Sequence, residues 1–171
     1  MAYDVSSMLE SLRSTLATNT STLMTSLTSS YPTMTSDSIL IGDPKRLTRQ
    51  LDQYPCLILT PKNKSQEFGE LGVNASAKVG RDVVVSVDIL CLTQSMSDSE
   101  DADKQARTLA RNVETILETN IEKLASTSTI ADGWNMAIVD NAQYEGAYNE
   151  ASQTYQSSVK LETTFKSFGY R

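Results

Sequence analysis

The chain has 171 residues, which is enough for one domain with a buried core. Its 15 basic and 21 acidic side chains give a net charge of −6, which disfavours binding to the phosphate backbone of nucleic acids. Histidine is absent, so the commonest general base, metal ligand and partner of a serine or cysteine nucleophile is missing. We therefore expect a protein that is not an enzyme, with no catalytic, metal-binding or cofactor-binding residue.

The first predicted element is a helix over residues 4–27. Residues 1–36 hold 17 Ser or Thr, which compete with the helical backbone for hydrogen bonds, so packing should stabilise this helix and a break near Asn19 is expected. The alternative is a disordered Ser/Thr linker, which does not normally keep an apolar stripe. The stripe consists of Val5, Met8, Leu9, Leu12, Leu16, Leu23, Met24 and Leu27.

Two predicted strands follow. Residues 38–41 form the first, and the turn after it begins at Gly42, which can take a positive φ. A polar segment to Gln53 has room for one helical turn. Residues 54–61 form the second strand, which is bounded by prolines and continuously apolar in its middle, so we expect it to be central and covered on both faces.

Residues 62–80 are predicted to form an arm or a long hairpin connection, because the segment is polar and contains three glycines. Such an arm is suited to reach a neighbouring subunit. The candidate contact residues from this part of the chain are Lys62, Lys64, Phe68, Leu71, Val73, Lys78 and Arg81.

The clearest strand pattern lies at residues 82–93, where apolar residues alternate through Val83, Val85 and Val87. Asp88 falls on the opposite face, and we expect it at a wet edge or lumen-facing position and not as a catalytic acid. Cys91 in this strand and Cys56 in the preceding one lie in apolar runs, which predicts reduced core thiols in place of a disulfide.

The strongest predicted helix begins at a capping box of Ser97 and Glu100 and extends to about residue 124. Acidic residues crowd its first turn, where the helix dipole favours them. They lack the glycine and the spacing of a calcium loop, so a structural role is favoured over a metal site. Its predicted core face consists of Ala102, Ala106, Leu109, Val113, Ile116, Leu117 and Leu124.

Two more strands are predicted at residues 134–139 and 159–168, and in the second of these Val159, Leu161, Thr163 and Phe165 alternate inward. A long polar loop or hairpin over residues 140–157 joins the two strands. Tyr144, Tyr148 and Tyr155 in this connection are candidate partner contacts, since each ring brings a large area with few rotatable bonds. An ordinary solvated hairpin tip is the alternative interpretation.

Together these elements predict an α+β fold: a mainly antiparallel or mixed sheet of about four to five strands with two main α-helices on one face. We expect a single domain over residues 1–171, made of a helical segment at 1–36 and a sheet-plus-helix core at 37–171. The start of the chain lacks the pattern of a secretory leader, and no apolar run is long enough to cross a bilayer. These features predict a protein that stays in the cytoplasm or in a particle assembled there.

The order of these elements resembles that of the tail terminator proteins of long-tailed bacteriophages. The similarity extends over nearly the whole chain as an arrangement, with most local pattern at residues 39–61 and 83–124. The resemblance implies a virion protein in the tail or neck, assembled in the host cytoplasm, with six copies closing into a ring. It further implies contacts with the tail tube protein, a neck or connector protein and a tail sheath, while DNA passes through the ring without specific binding.

Three other functions remain open at this stage. A head-to-tail adaptor or stopper is the nearest, because it belongs to the same neck assembly. A monomeric adaptor for one protein partner is another. The third is a small carboxylate-based enzyme or a ligand-binding domain, because paired carboxylates are recognised by their separation in space and not by sequence.

Overall fold

The computed structural model describes residues 3–47, 53–68, 80–121, 133–150 and 153–170. The α-helices are α1 (Val5–Thr18), α2 (Thr20–Leu23), α3 (Pro44–Leu47) and α4 (Ser99–Thr119), with a short 3-10 helix at Ser36–Ser38. The strands are β1 (Ile39–Ile41), β2 (Cys56–Phe68), β3 (Gly80–Ser95), β4 (Met136–Asn149) and β5 (Thr154–Tyr170). The predicted α+β fold is confirmed.

All five strands belong to one mixed sheet in the order β1-β2-β3-β5-β4. β1 runs parallel to β2, and the other neighbours are antiparallel. β3 lies at the centre and pairs with β5 along its whole length, from Ser95 opposite Tyr155 to Gly80 opposite Tyr170. A long central ladder of this kind fixes which side chains share a face, because a shift of register by one residue would move every side chain of the strand to the opposite face.

The helices cover one face of the sheet, with α1 against β1 and β2 and α4 against β3, β5 and β4. We call this the covered face and the other the open face. The inward alternation predicted for β3 and β5 is confirmed, because Val87, Ile89 and Leu161 are fully buried under the helices. Trp134 joins the same core and meets the Phe165 ring edge to face, with centroids 5.2 Å apart.

The predicted break in the first helix is confirmed. Asp4 caps the start of α1 by accepting a hydrogen bond from the Ser6 N–H, and α1 ends at Asn19, after which α2 begins. Asn112 of α4 fixes the end of α2 to α4, since its Nδ2 donates to the carbonyls of Leu23 and Thr25 at 2.8 Å each. The Ser/Thr-rich segment is therefore an ordered part of the core and not a linker.

β2 is longer than predicted. The strand does not end at Pro61 but continues to Phe68, with a shift of register between Pro61 and Asn63. Proline has no N–H for a ladder bond, so it is tolerated at bulges and at unpaired edges, and this position offers both. The prediction that the apolar middle of β2 is buried on both faces is confirmed, since Leu57, Ile58 and Leu59 are all inaccessible to solvent.

The predicted polar loop or hairpin over residues 140–157 is a hairpin, but its connecting loop is much shorter than predicted. Most of it is regular structure, because β4 runs to Asn149 and β5 begins at Thr154, with pairing from Asn149 opposite Thr154 onwards. Gln143, Tyr144 and Glu145 are exposed, so the second half of β4 lacks the buried apolar residues from which a strand is predicted.

The start of α4 also differs from the prediction by one residue. Asp98, and not Ser97, is the N-cap, and its carboxylate accepts a hydrogen bond from the Asp101 N–H at 2.6 Å. Two further acidic groups there accept hydrogen bonds, Asp101 from the Ser95 hydroxyl and Asp103 from the Ser157 hydroxyl. These contacts tie the helix start to the ends of β3 and β5, as expected for a structural cluster.

Candidate interaction surfaces

A row of polar and charged side chains crosses the open face. Asp88 of β3 lies in its middle, 8% exposed, with the Lys62 ammonium 3.1 Å away on β2 and that of Lys160 4.0 Å away on β5. Lys160 also pairs with Glu162 at 3.1 Å. Two amides of β4 complete the row by donating to Glu162, Gln143 at 2.9 Å and Asn141 at 3.4 Å.

The row is charge-balanced, and two of its members, Lys160 and Glu162, shift each other's pKa. The hydrogen bond from Lys160 lowers the pKa of Glu162, helped by the bond from Asn141. The same contact with Glu162 raises the pKa of Lys160, with the charge of Asp88 adding to the effect. Both groups are therefore held in their charged forms over the ordinary pH range, and the sheet presents a flat, ionised but neutral surface here.

Asp88 was expected at a wet edge or a lumen-facing position, and the structure places it on the open face of the central strand. The residue is not at an edge of the sheet, since β3 is the central strand, but it faces the open side and reaches water through its partners. Neutralisation by two lysines is the arrangement of a structural charge cluster. Among the described residues, no second carboxyl group in an apolar environment lies beside Asp88 to act with it in acid–base catalysis.

Farther along the open face, the row gives way to a small apolar cluster. Cys56, Ile58 and Leu92 are buried there, with Leu40, Tyr54 and Leu90 packed around them. Both cysteines are free thiols, as predicted, and burial raises the pKa of Cys56 to about 12. The pKa of Cys91, in the main core, is raised as well. Neither thiol is poised for nucleophilic chemistry.

The two edges of the sheet are both incompletely paired. β4 is 14 residues long and pairs only with β5, so its outer side carries no strand in the described chain. At the opposite edge β1 covers only residues 57–59 of β2, and the outer side of residues 60–68 is likewise without a strand among the described residues. Such rows of backbone N–H and C=O groups are templates for pairing with another chain.

A groove lies beside the β4 edge, on the covered side of the sheet. Its volume is about 370 Å³, and it runs between the start of α4 and the β4–β5 hairpin. Tyr144 stands over it with 64% of its surface exposed. A Cβ atom at Gly146 would lie 3.4 Å from the Asp103 carboxylate, an ordinary contact distance, so Gly146 and Asp103 border the groove from opposite sides. The lining residues are Asp103, Arg107, Tyr144, Glu145, Gly146, Ser157 and Val159.

The structure places the predicted contact residues on different parts of the sheet. Lys62 is exposed on the open face, whereas Lys64 lies on the covered face and donates to the Tyr3 carbonyl at 2.6 Å. Tyr144 is exposed on β4, and Tyr155 is half-buried on β5.

The remaining predicted contact residues fall partly on strands and partly outside the described ranges. Phe68, Arg81 and Tyr148 occupy positions in β2, β3 and β4. The other three, Leu71, Val73 and Lys78, lie outside the described residues. The predicted arm or long hairpin connection over residues 62–80 is thus partly wrong in its extent, since residues 62–68 belong to β2, which pairs antiparallel with β3.

The charged residues of β5, Lys160 and Glu162, were not predicted as part of a surface cluster. Lys160 and Glu162 alternate with Val159, Leu161 and Thr163, which were predicted to point inward, so the same pattern already assigned both charges to the outer face. What the sequence did not indicate was their contact with Asp88, because that depends on the register between β3 and β5.

No group of three or more metal-binding side chains occurs within the described ranges. Among the helices described, none is long and apolar enough to cross a membrane. No family model matches the chain, and no curated protein matches it either.

Proposed function

We propose that this chain is a structural virion protein of a long-tailed bacteriophage, which forms a ring that caps the tail tube, ends its growth and joins the tail to the neck of the head. The observation that carries the proposal is the sheet itself, open at two opposite edges while helices cover one face. Copies that join edge to edge satisfy the unpaired backbone groups of their neighbours. Head-to-tail repetition of one contact then closes into a ring.

Charge gives further support. With a net charge of −6 the chain repels the DNA phosphates, which suits a ring through which DNA passes without being held. The polar row of the open face is neutral in sum, so it offers a passing polyanion no strong attraction. In this proposal the partners are further copies of the chain, the tail tube protein and a neck protein.

The first test is the mass of the purified protein, measured by light scattering coupled to size exclusion over a range of concentrations. Rings of about six copies, visible in negatively stained electron micrographs, are the expected result. A protein that remains monomeric at every concentration would contradict the ring and favour a monomeric adaptor.

The edge itself is tested by two neighbouring proline variants, Ala142→Pro and Gln143→Pro in β4. Successive residues of a strand direct their N–H groups alternately to the neighbouring strand and outward, so one of the two leaves the β4–β5 ladder intact. That variant should fold and fail to assemble, whereas the matched control Gln143→Ala should assemble. Rings formed by the folded proline variant would reject β4 as a subunit contact.

A head-to-tail adaptor or stopper remains the nearest alternative, since the open edges suit any ring in the neck. Mixing the protein with tail tubes separates the two roles, because a terminator binds the tube end and stops its elongation. A ligand-binding or enzymatic role would instead raise the melting temperature in the presence of its ligand, and a panel of metabolites measures this directly.

A further inference from the structure

The two open edges of the sheet have opposite directions. β2 runs antiparallel to β3, β3 antiparallel to β5, and β5 antiparallel to β4, so β2 and β4 run in opposite senses. Rotation about an axis along the strands keeps each strand's direction from copy to copy. Residues 60–68 of one copy would therefore meet β4 of the next in antiparallel orientation, which is the slightly more stable ladder.

The charges of the two edges are complementary. Asp140 and Glu145 of β4 are exposed on the open face, and the strand contains no lysine or arginine. On residues 60–68 the Lys62 side chain lies on that same face and remains 55% exposed while it pairs with Asp88. When the open faces of two copies are aligned, this ammonium comes next to the acidic side of β4.

On the covered face, the groove beside β4 leaves room for the side chains of an added strand. An added strand directs every second side chain towards the helix layer. Beside β4 these side chains meet the groove between β4 and α4, with the exposed Tyr144 ring as its rim and Gly146 in its lining. An edge strand flanked by a helix and a groove is a common geometry for binding an extended segment by strand addition.

We infer that the occupant of the β4 edge is residues 60–68 of a second copy, bound as an antiparallel strand with Lys62 facing the carboxylate of Glu145. This assignment rests on the proposed self-assembly and specifies which two edges meet. Residues 60–68 of β2 are then the donor strand, and β4 with its groove is the acceptor. Each copy in a ring donates its strand to one neighbour and accepts a strand from the other.

Engineered disulfides test the pairing, because the bond forms only between residues whose Cα atoms are within about 7 Å. Asn63→Cys is combined in one chain with Asn141→Cys, Gln143→Cys or Glu145→Cys, which together sample the possible registers on the open face. Oxidation should give a ladder of covalent oligomers for at least one combination. Asn63→Cys with Glu118→Cys on the exposed side of α4 is the control and should give none.

A charge reversal gives a second, independent measurement. Glu145→Lys should weaken the subunit contact by roughly fivefold at low salt, and the difference should shrink at high salt. Glu118→Lys makes the same change in net charge away from the edge and should leave assembly unchanged. Both side chains are exposed, so neither variant should impair folding.

The outcomes separate this inference from the proposed function. Rings that form without any cross-link, and that tolerate Glu145→Lys as well as Glu118→Lys, would overturn the strand assignment while leaving the ring in place. A protein that never forms rings and never cross-links would overturn both.

Discussion

The covered and open faces of the sheet are built from the same strands, residue by residue in alternation, yet different interactions hold them. On the covered face Ile89 and Leu161 are buried under α4 by apolar packing. On the open face, between the same strands, Asp88 and Lys160 lie in a chain of ion pairs that remains in contact with water. Apolar burial on the covered face therefore supplies most of the stability, whereas the charged side chains of the open face remain accessible to solvent.

The largest effect is expected on the covered face. Phe165→Ala removes a ring that is 1% exposed and packed edge to face against Trp134, and should lower the free energy of unfolding by about 3–5 kcal/mol. Ile138→Ala on the open face is the matched control, because Ile138 is 40% exposed and should lose under about 1 kcal/mol. Urea denaturation of both variants measures the difference, and equal losses would contradict the contrast between the faces.

A smaller effect is expected at the centre of the open face. Asp88→Asn leaves Lys62 without its ion pair but keeps the shape of the side chain, and should cost about 1 kcal/mol, since the lysine remains in water. The loss should decrease at high salt, where exposed charges are screened. Glu10→Gln, which removes a surface pair with Arg13 on α1, is the control and should cost less. A loss of several kcal/mol for Asp88→Asn would mean that this face is as dry as the other.

The smallest effect is a pH dependence. The pKa of Glu162 is lowered in the folded chain, so its contribution to stability is present above its unfolded value and is lost as pH falls through the folded value. From about pH 5 downward, Glu162→Gln should therefore lose stability less steeply than the unmodified chain. Lys160→Met, which removes the cation that lowers this pKa, should flatten the same part of the curve. Unchanged pH curves for both variants would contradict the link.

Periodicity predicted the covered face well, because burial on one side forces alternation in β3 and β5 and a stripe in α1. The break at Asn19 was predicted from the Ser and Thr content, because these side chains compete with the helical backbone for hydrogen bonds. Strand ends were predicted poorly. Pro61 looked like a terminator, but it lies at an unpaired edge with a bulge, where its missing N–H costs no ladder bond.

The candidate surfaces were harder to predict, because they depend on pairings between distant segments. Residues 143–147 carry no apolar alternation, since β4 is exposed on both sides at that point, and their strand conformation is stabilised by pairing with β5. The groove beside Tyr144 is lined by Gly146 and Asp103, which are far apart in the sequence. A single exposed tyrosine was the only part of that surface that the sequence indicated.

The two cysteines make the chain its own reporter of unfolding. Cys56 lies opposite Leu92 and Cys91 opposite Leu57, so the two sulfur atoms belong to opposite sides of the sheet. Both are concealed, and burial raises the pKa of each thiol, so alkylating reagents should modify them only when the surrounding structure opens. Mass spectrometry after a short pulse of reagent can therefore time the opening of each side separately, in a native chain that carries no added label.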